Sequence, residues 1–436
     1  MEQPDAGPAK WSIKEKLLFC FSFIFFVLYI FLNPNHIVPY TDYLNKVYIQ
    51  PFADLLAWLT KDILHIVNPA IEFYNSTLDT VFGYLALLFI FLVAIAGSII
   101  WLVIDRRAPN YLRLYEALTI LVRYYLAFTM ISYGSFKIIK LQFLSLSPVM
   151  LLQTYGSTTP RQFMWSFVGY SAGYNYFIGS FELIAGFLLF FRRTSMLGSL
   201  IALGILANVT VLNFSFDINV KLYTIVLTMM ALFLLSKQIT RLFNFFFLDK
   251  IVYPSVDPPI RFKKKWRNTA LQVSKYAFIL YTIVFGLRAN YYRSLQDRDG
   301  PVKPPLYGIY DVTTFIRNRD TIKPLTTDAA RWNKLIISAP KGNASIMLMG
   351  GSFKTFLFKI EPAKKKIGMY TKSDTSDKYT FTYDLSKDSV LVMRGKWHKD
   401  SLEIKLKQYD FNKFPLINHR FRWILDHYYI VRDKTQ

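Results

Sequence analysis

Residues 118–130 read LTILVRYYLAFTM and residues 176–191 read YFIGSFELIAGFLLFF. Each belongs to an apolar run of membrane-spanning character, and each carries one ionisable residue well inside it, Arg123 or Glu182. An ionised side chain at bilayer depth costs several kcal/mol, at least ~2.5 on insertion scales, so it needs a partner, a water-filled cavity or a chemical task. The stretch from Tyr115 to Lys221 therefore sets both the class of the fold and the place to look for a site.

Working outward, seven stretches approach the roughly 20 apolar residues that a span takes: 14–32, 81–104, 115–136, 174–191, 196–213, 221–236 and 270–288. Two are short, and 221–236 opens on a lysine that has to snorkel outward. Basic residues flank these runs on alternate sides: Lys10, Lys14 and Lys16, then Arg106, Arg107 and Arg113, then Arg192 and Arg193, then the run from Lys237 to Arg267. The opposite loops carry more acids, Asp42, Asp54, Asp62, Glu72, Asp79 and Asp217. The positive-inside rule then predicts a multi-pass protein of the plasma membrane, of bacterial inner-membrane type. Its amino end is expected in the cytoplasm, with everything after Arg288 outside it. The first run, with a polar start and no small-residue cleavage site after it, is expected to be a retained span.

Composition agrees. A hydrophobic fraction of 53% and aromatics at 17% are too apolar for an ordinary soluble chain. The formal charge of +23 orients membrane segments better than it serves nucleic acid, since no groove-reading motif accompanies it. A single cysteine, Cys20, allows neither an intramolecular disulfide nor a cysteine-bound zinc. The histidines, His36, His65, His398, His419 and His427, all fall outside the apolar runs, so no metal site and no bis-histidine haem in the bilayer is expected. The chain has no HExxH and no GxxxxGK[ST], so neither of those hydrolase motifs is present.

The chain divides by texture. Residues 1–113 hold the first spans and an outer loop in which Tyr48, Phe52, Leu55, Leu56, Leu59 and Ile63 recur at helical spacing, as in a surface-lying or domain-packed amphipathic helix. Residues 114–236 form the central spans. Residues 237–269 are a basic inner segment with Pro254, Pro258, Pro259 and the cluster Arg261, Lys263, Lys264, Lys265 and Arg267, a topology signal that also attracts anionic membrane lipids. Residues 270–288 are the last span. Residues 289–305, with Asp297, Asp299, Gly300, Pro301, Pro304 and Pro305, read as a linker. From 306 to 436 alternation replaces apolar runs, in IYDVTTFI, KLIIS, SIMLM, KTFLFKI, KKIGMY, KYTFTYD, SVLVMRG and SLEIKLKQYD. Short strands separated by turn residues predict an extracytoplasmic antiparallel barrel in up-and-down order. The tail FRWILDHYY reads as a closing helix or a last strand.

On the third span, Glu116, Thr119, Arg123, Ala127, Met130, Gly134 and Lys137 share one helical face. Arg123 and Glu182 each lie roughly 15 Å from a basic edge, at Arg113 and Arg192, on spans running in opposite directions. Matching depth predicts an Arg123–Glu182 pair, with Gly179 and Gly186 letting the helices approach. Asn208 is expected to be buried. With Asn213, Asp217, Asn219, Lys221, Lys137 and Gln142 it would line a polar mouth leading inward to that pair. A structural ion pair with solvated loop polars fits the same residues equally well.

The run LVRYYLAFTMISYGSFKIIKLQF (121–143) resembles the DoxX family pattern of an arginine, a later glycine, then lysine and QF. The segment FELIAGFLLFFRRTSMLGSLIALGILANVTVLNFSFDINVK (181–221) resembles its next part. Over residues 115–236 the resemblance implies a DoxX-like four-helix core, here with extra spans on both sides. The carboxyl segment, with LYGIYDVTTFI and ARWNKLIIS, is similar to lipocalin-like barrels. Some members of the wider superfamily are quinone-linked oxidoreductase subunits. The resemblance therefore implies a quinone as cofactor, with Arg123 and Lys137 polarising its carbonyls and Glu182 relaying a proton. The alternative expectation is a membrane anchor presenting a barrel for a hydrophobic, envelope-derived or other lipophilic small molecule.

Overall fold

In the computed structural model, the residues described are 10–34, 42–65, 78–251, 264–296, 303–338, 342–371, 378–386, 390–418 and 423. Pro254, Pro258, Pro259, Arg261, Lys263, Glu72, Asp297, Asp299, Gly300, Pro301 and all of the FRWILDHYY tail except Trp423 lie outside them. The chain forms two compact units. One comprises Met1–Leu144 with Thr159–Ser294, the other Ser145–Thr158 with Leu295–Gln436.

The first unit is helical: α1 (Ile13–Leu32), α2 (Asp42–Trp58), α3 (Val81–Ile104), α4 (Leu112–Ile138), α6 (Pro160–Tyr170), α7 (Ala172–Phe190), α8 (Ser195–Ser215), α9 (Lys221–Ser236), α10 (Ile239–Phe247) and α11 (Lys265–Gln296), with the short α5 (Pro148–Leu152) assigned to the second unit. The starts are chemically marked. Ser12 and Glu15 form a capping box on α1, Thr159 and Gln162 another on α6, and Thr80 and Ser171 cap α3 and α7. Six helices, α1, α3, α4, α7, α8 and α11, are long and apolar enough to cross a membrane, where the sequence predicts seven spans. The difference is α9. At 16 residues it is about 24 Å long, and the chain breaks after it, bending by 78° into α10.

Helices α4, α7, α8 and α9 pack in sequence around a ring closed by α9 on α4. Leu126, Ala127, Val122, Leu189, Ala202 and Met230 are among its fully buried residues, and Cys20 of α1 joins the same apolar cluster. Outside the ring, α1 packs on α3 and on α4. Leu56 and Ala53 of α2 bury against Phe82 and Ala86 of α3, while Leu55 and Ile63 stay exposed, so the outer-loop helix buries only part of the stripe read from its spacing.

In the second unit, β1 (Gly308–Arg317), β3 (Trp332–Ser338), β4 (Asn343–Leu348), β5 (Phe353–Glu361), β6 (Lys366–Thr371), β7 (Lys378–Leu385), β8 (Val390–Trp397) and β9 (Asp400–Gln408) pair antiparallel in chain order. Pairing of β1 with β9 closes them into an eight-stranded barrel, and β2 (Asp320–Thr321) is a short hairpin extension of β1. A short α12 (Pro415–Asn418) follows. Alternation directs Tyr310, Phe315, Leu335, Ile346, Phe381, Met393 and Ile404 inward. Ile309 and Ile336, paired on the outward face of β1 and β3, are also fully buried, and α5 packs on β3.

Candidate functional site

The buried charge in the bundle is organised differently from the sequence expectation. Glu182 on α7 pairs with Lys137, near the end of α4, whose Nζ donates to both carboxylate oxygens at 2.8 and 2.7 Å. Both side chains are buried, with only 7% and 6% of their surface exposed. Arg123 does not take part. The reason is the register of α4 against α7, set where their backbones meet: a Cβ on Gly179 would lie 2.9 Å from the Gly134 carbonyl, and one on Gly186 would lie 2.8 Å from the Ala127 carbonyl. In that register Glu182 faces the Tyr133–Lys137 turn. Arg123 is about ten residues away, roughly 15 Å along the helix, level with the carboxyl end of α7, where Tyr124 meets Phe190 at 5.6 Å. Helix α4 overshoots the α7–α8 turn, so depths counted from Arg113 and from Arg192 do not share an origin.

The expected polar mouth separates into local pairs. Asn213 donates to Thr224 Oγ1 at 3.2 Å. Lys221 bonds Asp217 at 2.7 Å and lies 3.7 Å from Asp79, whose carboxylate accepts from the Lys221 and Leu222 backbone N–H groups and so caps α9. Asp217 is exposed, and its carboxyl is held below the usual range by the hydrogen bond from Lys221. Asn208, expected to be buried, is exposed on α8. Gln142 accepts from Trp165 Nε1 through its backbone carbonyl, at 3.2 Å, while its buried side-chain Oε1 has no hydrogen-bond partner. Between these groups an apolar cluster of Phe143, Met164, Val168 and Ile218 fills the space, and Lys137 Nζ lies 5.9 Å from the Phe143 ring.

Next to the ion pair is a group that spacing did not single out. Tyr29, Tyr125 and Tyr223 are buried and gather with Tyr133, which lies under Lys137 Nζ at 5.7 Å. Tyr133 and Tyr223 have ring centroids 6.2 Å apart, and the Tyr125 hydroxyl donates to the Asn33 carbonyl at 2.8 Å. Phenols eight residues apart on α4, Tyr125 and Tyr133, with Thr129 midway on the same face, were the available clue.

A second site lies in the barrel. A cavity of about 210 Å³ opens at one end, walled by Phe315, Trp332, Ile346, Leu348 and Trp397. Strand register places Arg317 opposite Leu402 and Lys354 opposite Ile346, on the inward face of the barrel, and both cations line the cavity. His398 and Asp400 complete the rim. Trp332 and Trp397 meet edge to face at 5.1 Å, and Tyr379 stacks on Trp397 at 4.2 Å while its hydroxyl meets the His398 ring at 3.1 Å. Below this layer the inward positions are occupied by buried side chains. Among the described residues no group of histidine, cysteine and carboxylate side chains is placed to hold a metal ion.

No family model and no solved structure matches the chain. A stretch of 113 residues, 26% of the chain, is 36% identical to 71% of the uncharacterized protein YwoB of Bacillus subtilis. The chain belongs to the YwoB family. This kinship brings no activity with it, since YwoB is itself uncharacterized. The chemistry of the YwoB-related chain has to be read from its own residues.

Proposed function

We propose that this chain is a membrane-anchored binding protein. In this reading its helical unit is a scaffold locked by Lys137–Glu182, and its barrel takes a small amphiphilic anion, envelope-derived or otherwise lipophilic, outside the cytoplasm. The observation that carries the proposal is the pair of inward-facing cations, Arg317 and Lys354, set over an indole-lined cavity. Inward barrel positions are normally filled by apolar side chains, and the deeper layers here obey that rule. Two cations at the mouth add electrostatic selectivity to an apolar floor, the usual make-up of a ligand pocket. A volume near 210 Å³ suits a short-chain or single-ring carboxylate, not a long acyl chain.

The test is saturation-transfer NMR on the full chain in nanodiscs, with short-chain and aromatic carboxylates and their methyl esters. The carboxylates should give transfer and the esters much less, and Arg317→Gln with Lys354→Gln should remove the difference. Equal transfer from acids and esters, or none from either, would sink the reading.

A second reading, a DoxX-like quinone-linked oxidoreductase component, is favoured by one arrangement. Lys137 and Glu182 are buried beside the phenols of Tyr133 and Tyr223, groups able to donate to a carbonyl and move a proton in a low-dielectric interior. A quinone, when bound, would supply the redox chemistry, and Lys137 in place of Arg123 would be its polarising cation. Quinone copurifying with the wild-type chain and absent from Lys137→Met would support this, whereas a lipid extract of the purified protein free of quinone would count against it.

A further inference from the structure

The outward charge of the barrel is gathered on one side. Over β1, β3 and β4 the outward positions carry one cation, Lys334, and it bonds to Asp311. Over β5 to β8 they carry Lys359, Lys366, Lys378, Arg394 and Lys396, all exposed. The acids nearby are engaged: Glu403 bonds Arg394, Asp384 bonds Lys365, and Glu361, opposite Lys366 and within reach of the charge on Lys359 and Lys378, bonds Lys364 at 3.3 Å. Among the described residues the four lysines form no ion pair. Strand register sets them round one point. Lys359 stands opposite Gly368, Gly368 opposite Thr380, Lys378 opposite Tyr370, and Lys366 opposite Thr382, which pairs with Arg394 two residues before Lys396. Gly368 lies mid-strand in unbroken register, where glycine weakens a sheet and often marks the close approach of another group. A Cβ there would meet the Tyr370 ring, 3.1 Å from its Cε2 and 3.2 Å from its hydroxyl. The phenol therefore leans along the sheet over Gly368, with Lys378 Nζ 5.6 Å from its centroid.

Lysines often guard the edge of a sheet, but a closed barrel has no edge to guard. Four like charges on one face repel one another and raise the local concentration of an anion. We propose that the outward face of β5 to β8 binds an anionic polysaccharide. Its sugar rings lay their C–H faces on the Tyr370 phenol, and their hydroxyls bond to Thr380 and Thr382. Its carboxylates meet Lys359, Lys366, Lys378 and Lys396 in charge-assisted hydrogen bonds. A lipid surface fits this face less well, because membrane-binding surfaces add apolar anchors to their charge, and the large apolar side chain exposed here is Leu357. The surface is distinct from the cavity at the barrel mouth, whose residues point inward.

The experiment is surface plasmon resonance of the purified full chain, in neutral detergent, over immobilised polygalacturonate, dextran, poly-L-glutamate and single-stranded DNA at low and high salt. Polygalacturonate should bind the wild type, more weakly at high salt, and dextran should not bind. Poly-L-glutamate, which has the carboxylates without the sugar, should bind more weakly than polygalacturonate. Lys359→Gln with Lys378→Gln should weaken polygalacturonate binding about fivefold, the scale of exposed charge contacts. Tyr370→Ser should bring polygalacturonate down to the level of poly-L-glutamate. Lys264→Gln with Lys265→Gln removes the same charge from exposed positions outside the barrel and should change nothing. An equal loss in that control, or undiminished binding in the Lys359 and Lys378 variant, would overturn the site. Poly-L-glutamate or single-stranded DNA binding as tightly as polygalacturonate would overturn the assignment to a polysaccharide.

Discussion

Glu182 gives both its oxygens to Lys137, and the pair is almost wholly withdrawn from water. Removing one member leaves the other charged and buried, which costs about 3–5 kcal/mol, whereas replacing both by apolar residues of similar volume is close to neutral. Glu182→Gln or Lys137→Met alone should therefore lower the detergent melting temperature sharply, and the double variant Lys137→Met/Glu182→Leu should return it near the wild type. A double variant as unstable as the singles would mean that the pair does more than satisfy itself. In the barrel, Asp328 Oδ1 accepts from the backbone N–H groups of Ala330 and Arg331 at 2.8 and 2.9 Å, fixing the turn beside the cavity. Those bonds hold its carboxyl below the usual aspartate range. Its contribution is thus complete above the unfolded value of about 3.9 and is lost as pH falls through the depressed folded value. Asp328→Ala should cost about 1 kcal/mol at neutral pH, and its melting temperature should fall less than that of the wild type between pH 5 and pH 2. At this scale the sequence was half legible. Arg123 and Glu182 stood out because charge in an apolar run is conspicuous, but Lys137, at a helix end, looked like a flank. The buried phenols were hidden among 29 tyrosines.

Between helices, the α4–α7 crossing is set by backbone contact at Gly134 and Gly179. A Cβ at Gly179 would stand 2.9 Å from the Gly134 carbonyl and 2.9 Å from Ile138 Cγ1. Backbone on one side cannot yield without shifting the register that brings Glu182 to Lys137. Gly179→Ala should cost about 1–3 kcal/mol, the usual penalty of overpacking. Gly204→Ala on α8, where nothing lies within 4 Å of the added carbon, should be neutral or slightly stabilising. Comparing the two detergent melts checks the claim, and equal effects would remove the close approach from the account. This register also explains why helices were easier to find than to align. Hydropathy marks where a run is apolar, but the overshoot of α4 beyond α7 depends on contacts between distant small residues. The strands pose the opposite case. Period-two alternation and turn residues fixed eight of them and their order, because each strand pairs with its sequence neighbour and local pattern is then sufficient.

The layout of the whole molecule turns on whether α9 crosses the membrane. The other six helices give an even number of crossings, which would leave the amino end and the barrel on the same side. With α9 the number is odd. Its start is capped by Asp79, which directly precedes the beginning of α3. Its last residue, Ser236, lies 3.3 Å from the Tyr115 hydroxyl in the first turn of α4. Helix α3 ends beside Arg106 and Arg107, and α4 begins at Arg113, so α9 runs from the sparsely basic end of the bundle to the strongly basic one. It therefore runs the length of the bundle beside α4, as a seventh span would, and α10 is turned from it by 78° with Phe245, Phe246 and Phe247 exposed, the form expected of a helix lying in the interface. The expected topology places Lys250 in the cytoplasm and Thr380 outside it. Cys20 is fully buried, so a Cys20→Ser background is a mild change on which single reporters can be placed. On intact spheroplasts a membrane-impermeant maleimide should label Thr380→Cys and spare Lys250→Cys, and lysis should make both reactive. Labelling of both before lysis would show that α9 turns back inside the bilayer, and would place the barrel's cavity on the same side as the amino end.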